Sequence, residues 1–392
     1  MKGHIRQRSK GSWTIWVDLG RDPQTGKRKQ QTLTVCGSKK YAERELRAIL
    51  TRIEGGILVK PTKLTVGEYL EQWLRDYVAT NTAPSTADGY GDIVRVHLIP
   101  ALGTLPLIAL QPSHIQAYYA RLLESGRRDG NGGLSAQTVK HHHRVLYEAL
   151  KHAVKRGIII RNVAEAVDPP RAGSKQITIL APDDVHTFLA AAGETPYYIL
   201  FYTALYTGLR RSEILGLRWR DVNLDLATLS VVQTLQQVPG GGYIFREPKT
   251  KRSRRLVDLS PSLALLLREH REKQEVDKNL LGRSVMPDDL VFCLPDGRPL
   301  PPNSVTAAFH KLAKSLGLSG VRLHDLRHTH ATIMLMQGVH PKIVSERLGH
   351  SSIAITLDTY SHVMPGLQAA AALRFDQGLE RARQDVSMAE VG

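Results

Sequence analysis

Two prolines and a glycine crowd into Asp168-Pro169-Pro170-Arg171-Ala172-Gly173-Ser174 and interrupt every helical or strand period near the middle of the chain. No single helix or sheet can run through them. Before that break the apolar residues recur at helical spacing; after it helical stretches alternate with short strand-like ones. Residues 57–63 form a second unpatterned stretch. The chain therefore reads as multidomain. Residues 1–60 are expected to form a small α+β unit (a sheet plus one helix), 64–165 an all-α unit, and 175–375 a mixed, mainly α unit with a small antiparallel sheet. Residues 376–392 are left as a tail.

In the first segment Trp13, Ile15, Val17 and Leu19 alternate as in a half-buried strand. A turn-rich stretch, 21–27, leads to a second strand through Leu33 and Val35, and Ile5 with its neighbours supplies a third. Ser38 then caps a helix carrying Tyr41, Ala42, Leu46, Ile49, Leu50 and Ile53, stopped at Gly55-Gly56. Trp13 and Trp16 read as packing residues. Thr65-Val66-Gly67-Glu68 is a capping box, opening a helix whose inner face is Tyr69, Leu70, Trp73, Leu74 and Tyr77. Further helices are expected over 85–98, 112–124 and 135–156. Beyond the break, helices are expected at 197–206, 212–217, 262–273, 304–315, 324–337 and 342–348. Strands are expected at 227–232, 243–245 and 255–259. An alanine-rich patch, Leu367–Leu373, adds a short helix whose Leu367, Ala370 and Ala371 with Phe375 make a narrow apolar face. It suits docking on its own domain or on a neighbouring copy.

Charge narrows the partner. The formal net charge is +16 with a sequence pI near 9.8, which favours a polyanion, most simply nucleic acid. Residues 1–60 hold 14 Lys/Arg against 5 Asp/Glu, so more than half the excess lies in that segment. Cys36 and Cys293 are the only cysteines, too few for a disulfide scaffold or a cysteine zinc site. No secretory signal and no membrane-length apolar run is visible. A soluble, cytoplasmic bacterial protein acting at the nucleoid is expected.

Several polar residues stand where core patterning would not put them. Thr207-Gly208-Leu209-Arg210 ends an apolar helix on an arginine. Lys249-Thr250-Lys251-Arg252-Ser253-Arg254-Arg255 is a basic hairpin turn. His324-Asp325-Leu326-Arg327 puts His324 and Arg327 on one helix face. Leu348-Gly349-His350 closes the next helix, and Tyr360 follows ten residues later. In this order the five elements resemble the tyrosine recombinases of the phage-integrase type. The resemblance spans all three segments and implies an arm-type DNA-binding domain (1–60), a helical core-binding domain (64–165) and a catalytic domain (175–375).

The chemistry gives each position a reason. Breaking and rejoining DNA without loss of bond energy needs a covalent intermediate, and Tyr360 is the expected nucleophile of a 3′-phosphotyrosyl link. A tyrosine near pKa 10 attacks poorly when neutral but leaves well on return. It depends on an electrostatic clamp on the phosphodiester, which Arg210 and Arg327 supply with always-charged forks. Such stabilisation is usually the largest catalytic contribution. The resemblance implies Lys249 as general acid for the leaving 5′ oxygen, with Lys251 close enough to be its rival. His324 and His350 are expected to hydrogen-bond the phosphate, one of them assisting proton transfer from Tyr360. Two arginines and a lysine bring the charge a metal would bring, so no cofactor is expected. Glu213 and Asp325 are expected to orient the arginines. The polar flanks of Tyr360 argue against a core position.

Elsewhere, His141-His142-His143 invites a zinc reading, but consecutive helical residues diverge. A DNA-facing helix fits better, with Lys140, His143 and Arg144 on its cationic side and Lys251 and Arg252 contacting DNA from the hairpin. The resemblance implies double-stranded DNA, with core and arm-type attachment sites, as the partner. It also implies a homotetramer on DNA, an accessory directionality factor, and integration or excision of a mobile element. Two other readings share these residues: a type IB topoisomerase, which relaxes supercoils without recombinant product, and a DNA-binding protein with a decayed site, which forms no adduct.

Overall fold

Alternating residues at the N-terminus fold into a three-stranded antiparallel sheet, Gly3–Ser9, Ser12–Arg21 and Arg28–Cys36, with Ile5 opposite Ile15 and Trp16 opposite Thr32. The computed structural model describes residues 3–9, 12–21, 28–54, 63–173, 178–238, 241–248, 251–360, 372–373 and 375–380. The chain divides into two compact units, Met1–Ser174 and Lys175–Gly392.

In the first unit, Ile15 and Val17 are buried against Ile5, Val35, Leu46 and Leu50, the last two from the helix Lys39–Glu54. Ser38 caps that helix, accepting from the Tyr41 N–H at 3.2 Å. Trp13 donates its indole N–H to the Gly37 carbonyl and Trp16 stacks on His4, so both tryptophans pack within the sheet unit.

The helical part has its own core, centred on Tyr69, Leu70, Trp73, Leu98, Ile115, Tyr119 and Leu146. The Thr65–Glu68 capping box closes in both directions and starts the helix Val66–Trp73. One expectation shifts here. Leu74–Val78 is a π-helical turn, which lets an extra residue into the turn and moves the inward face by one position. Val78 is buried (1% exposed) and Tyr77 is 39% exposed, the reverse of what a strict 3.6-residue period gives. A second π turn, Ile93–Leu98, interrupts the helix expected over 85–98. The helix Ala136–Lys155 is capped by Ser135. His142 meets the Tyr118 hydroxyl at 2.7 Å, His143 meets Tyr119 at 2.8 Å, and His141 faces Gln137. The three rings thus diverge, and no metal-binding cluster of His, Cys, Asp or Glu occurs among the described residues.

The second unit is helix-rich, built around the helices Pro182–Ala192, Tyr198–Thr207 and Pro302–Ser315, whose Phe188, Phe201 and Phe309 meet at the centre. Pro182 at the first helical position and Asp183 and Asp184 in the first turn mark the start of the first of these, a helix the periodicity did not suggest. The sheet expectation needs correction. Thr228–Val231 pairs with Val222–Asn223 and with Arg255–Asp258, while Tyr243–Arg246 pairs with a separate strand, Thr234–Gln237. Two small sheets replace one, so the strands on either side of 249–255 do not pair as the expected hairpin. Gln233, whose amide donates to the Gly216 carbonyl at 2.8 Å, anchors the chain where it leaves the first sheet. Then come the helices Pro261–Asn279, Asp325–Met336, Pro341–Leu348 and Ile353–Tyr360; the last was not expected. Leu367, Ala370 and Ala371 lie outside the described residues, and Phe375 is exposed. Among the described residues no helix is long and apolar enough to cross a membrane.

Candidate active site

Two left-handed glycines prepare the site. Gly208 (φ +65°) ends the helix Tyr198–Thr207, and Gly349 (φ +68°) ends Pro341–Leu348. In that conformation a glycine stops a helix at little steric cost. Each turn releases carbonyls that a helix would have consumed. Arg327, from the helix Asp325–Met336, takes them up: its guanidinium donates to the carbonyl of Gly208 at 2.7 Å and to that of Leu348 at 2.6 Å. Arg327 is buried. Burial, with the like charge of Arg210, lowers its pKa, while the two carbonyl acceptors favour the charged form.

Arg210 follows the first glycine turn directly. Its guanidinium donates to Glu213 at 2.7 Å and lies 3.5 Å from the Gly349 carbonyl, and its own backbone N–H donates to the same carboxylate. The opposite side of Glu213 accepts two hydrogen bonds from Arg255. Burial alone would raise the Glu213 carboxyl, yet the hydrogen bonds and charge of Arg255, joined by Arg210, hold it below the usual carboxylate range. One buried anion thus steadies two cations.

These side chains open into a cavity of about 370 Å³ lined by Arg210, His324, Arg327, His328, His350 and Tyr360. His324 is held down to about 4 by burial and by the neighbouring His328 and Arg327. His350 is held down to about 4 by burial and by Arg327 and Arg210, and its Nδ1 meets the buried Thr356 hydroxyl at 2.8 Å. Both rings are therefore neutral near neutral pH. The Tyr360 hydroxyl lies 2.8 Å from His328 Nδ1, and burial pushes its pKa up to about 12 against the lowering pull of Arg327. Cationic forks, neutral imidazoles and a phenol in one concave site suit an anionic, tetrahedral centre that a phenol oxygen can reach.

Comparison with known proteins gives the same answer. Residues 178–366 match the phage integrase family, and residues 65–123 match the SAM-like N-terminal domain of phage integrases. The chain belongs to the phage integrase family. It is a tyrosine site-specific recombinase, and the topoisomerase and decayed-site readings are not favoured. A XerC-like tyrosine recombinase of Caldanaerobacter subterraneus is 28% identical over 93% of this chain and 95% of its own length. Among solved structures, the integrase of transposon Tn1549 in complex with transposon right end DNA superposes with a TM-score of 0.66 at 23% identity, covering 79% of this chain and 99% of that one. A lambda integrase tetramer bound to a Holliday junction gives 0.57 at 19% identity, covering 91% and 94%.

Of the residues expected in the recombinase site, Arg210, His324, Arg327, His350 and Tyr360 all line the one cavity. Lys249 and the Lys251 side chain lie outside the described residues. Arg252 is exposed, its guanidinium hydrogen-bonded to the Ser351 carbonyl at the cavity rim. Lys140 and Arg144 are exposed and His143 is half-buried, all on the helical part of the first unit. Two expectations fail. Asp325 does not hold Arg327; it accepts from Arg322, and backbone carbonyls hold Arg327 instead. Tyr360 does occupy a core position, 1% exposed, packed with Ala331, Leu335, Val344 and Leu348. Asp358 misled because the helix turns it to the exposed outer side while Tyr360 faces inward; Ser361 and His362 lie outside the described residues. Arg255 was missed, submerged in a run of basic residues, and His328, directly after Arg327, was read only as structural or phosphate-near. The spacing of His324 and His328, i and i+4, was the available signal.

Proposed function

We propose that Tyr360 attacks the scissile phosphodiester of duplex DNA to form the 3′-phosphotyrosyl intermediate, with Arg210 and Arg327 clamping the phosphate. His324 and His350 donate hydrogen bonds to it, and Lys249 or Lys251 protonates the leaving 5′ oxygen. The observation that carries this reading is the convergence of both arginines, both histidines and Tyr360 on one cavity. Arg327 gives its two terminal nitrogens to carbonyls, so it acts as a fixed positive wall. Arg210, with 36% of its side chain exposed, has more room to move onto the substrate.

Residues 1–60 bind arm-type DNA, the helical part over 64–165 grips the core site with Lys140, His143 and Arg144 as contacts, and 175–375 carry the chemistry. The charge of the first segment supports this division, as do the separate cores of the sheet and helical parts. Exchange of two strand pairs needs four tyrosines, so four copies assemble on DNA. The tetrameric lambda integrase supports that arrangement.

The test is a nicked suicide duplex carrying the repeat that flanks the gene for this chain. In EDTA and without ATP the protein should form a covalent adduct, and Tyr360→Phe should form none. An adduct that persists in Tyr360→Phe overturns the reading.

A further inference from the structure

We propose that His328 is the general base of this recombinase, the group that takes the proton from Tyr360 as its oxygen attacks phosphorus. This rests on Tyr360 being the nucleophile. One of His324 and His350 was expected to take that duty, but the hydrogen bond it requires is made by His328. The Tyr360 hydroxyl is 2.8 Å from His328 Nδ1. His350 uses Nδ1 on Thr356. The His324 ring stands edge-on to His328, centroids 5.0 Å apart.

The surroundings suit an acceptor. His328 sits on the helix Asp325–Met336 with Asp325 and Arg327, and is faced by Arg322 and His324 from the turn before it, Tyr360 from the last helix and His350 from the loop between helices. Burial lowers its pKa; Asp325 opposes that shift, and Arg327 and Arg322 reinforce it. The ring is neutral near pH 7 and keeps a lone pair. A phenol lifted by burial needs such a partner more than an exposed one does.

In the forward step the Oη–H bond breaks and an Nδ1–H bond forms, while Oη–P forms and P–O5′ breaks. The leaving oxygen takes its proton from Lys249 or Lys251. On rejoining, the incoming 5′ hydroxyl returns its proton to that lysine, and the imidazolium gives its proton back to the departing phenolate. His328 and that lysine therefore serve opposite ends of the displacement.

The test compares wild type, His328→Gln and Tyr360→Phe as full-length proteins on the suicide duplex. His328→Gln should cleave about 10²-fold more slowly and lose the acidic limb of the pH–rate profile, while melting at the wild-type temperature. Replacing Tyr360 with 3,5-difluorotyrosine, whose fluorines acidify the phenol, should shrink the deficit to within about tenfold, an effect a merely structural role would not give. A 5′-bridging phosphorothiolate, whose thiolate leaves without a proton, should not restore the rate. Wild-type cleavage by His328→Gln, or rescue by the phosphorothiolate, overturns the proposal. An adduct in Tyr360→Phe overturns instead the reading on which it rests.

Discussion

Glu213 and Arg255 meet at 2.9 Å with 2% and 6% of their side chains exposed, and Arg210 binds the same carboxylate from its other side. A buried charge is stable only when paired, and losing one member of such a pair typically costs about 3–5 kcal/mol. Glu213→Gln should therefore lower the melting temperature and slow cleavage together, because it strands Arg255 and releases Arg210. Arg255→Ala should do the same, although Arg255 does not itself line the cavity. A normal melting temperature in either variant would show that the pair carries no stability.

The two cavity arginines should separate in a stability assay. Arg210→Ala removes a half-exposed side chain and should abolish adduct formation with little change in melting. Arg327→Ala leaves the carbonyls of Gly208 and Leu348 without their buried donor, at about 1–3 kcal/mol for an unsatisfied group, so it should lose both activity and stability. Differential scanning calorimetry beside the adduct assay checks the contrast; equal melting of the two variants contradicts it.

Gly208→Ala places a methyl at φ +65°, 2.6 Å from Leu348 Cδ2 and 2.8 Å from His330 Cδ2. The left-handed conformation costs about 1–2 kcal/mol for a residue with a side chain, and the crowding adds to it. Displacing this turn also displaces the carbonyl that fixes Arg327. Cleavage should fall well beyond the loss expected from the unfolded fraction, measured as rate per folded molecule.

Acid should weaken the fold through its histidines. His324, His350 and His142 are all held down to about 4, chiefly by burial, whereas in the unfolded chain they titrate near 6.5. Below that value the unfolded chain binds more protons than the folded one, so stability is complete above about pH 6.5 and declines as pH falls toward 4. Glu213 adds a loss further down, since its lowered carboxyl stabilises the fold until the pH falls through its folded value. Melting should drop from pH 7 to pH 5, and His142→Gln should flatten that slope. A slope unchanged in this variant would remove His142 from the account.

The motif residues were legible because their chemistry is dense: a fork, an imidazole or a phenol at a helix boundary has few other uses. Helix caps at Thr65 and Ser38 were legible for the same local reason. What escaped depends on neighbours distant in sequence. Nothing around Arg255 says that this charge, rather than Arg254, is buried against Glu213. The helix Ile353–Tyr360 was hidden by its Ile-Ala-Ile-Thr-Leu start, which alternates as a strand does, and with it went the inward aim of Tyr360. The π turn at Leu74–Val78 cannot be read from a period it violates. The strand Thr234–Gln237 was lost to its glutamines.

Arg327 joins the ends of two helices that the sequence keeps far apart, and those joints are also the wall of the candidate site's cavity. A molecule in which either helix has frayed has lost the arginine's position as well. Competence to cut is thus tied to completion of the fold, with no separate latch. An enzyme that breaks chromosomes gains from this: a nascent, heat-damaged or partly digested copy is disarmed by the same event that spoils its shape.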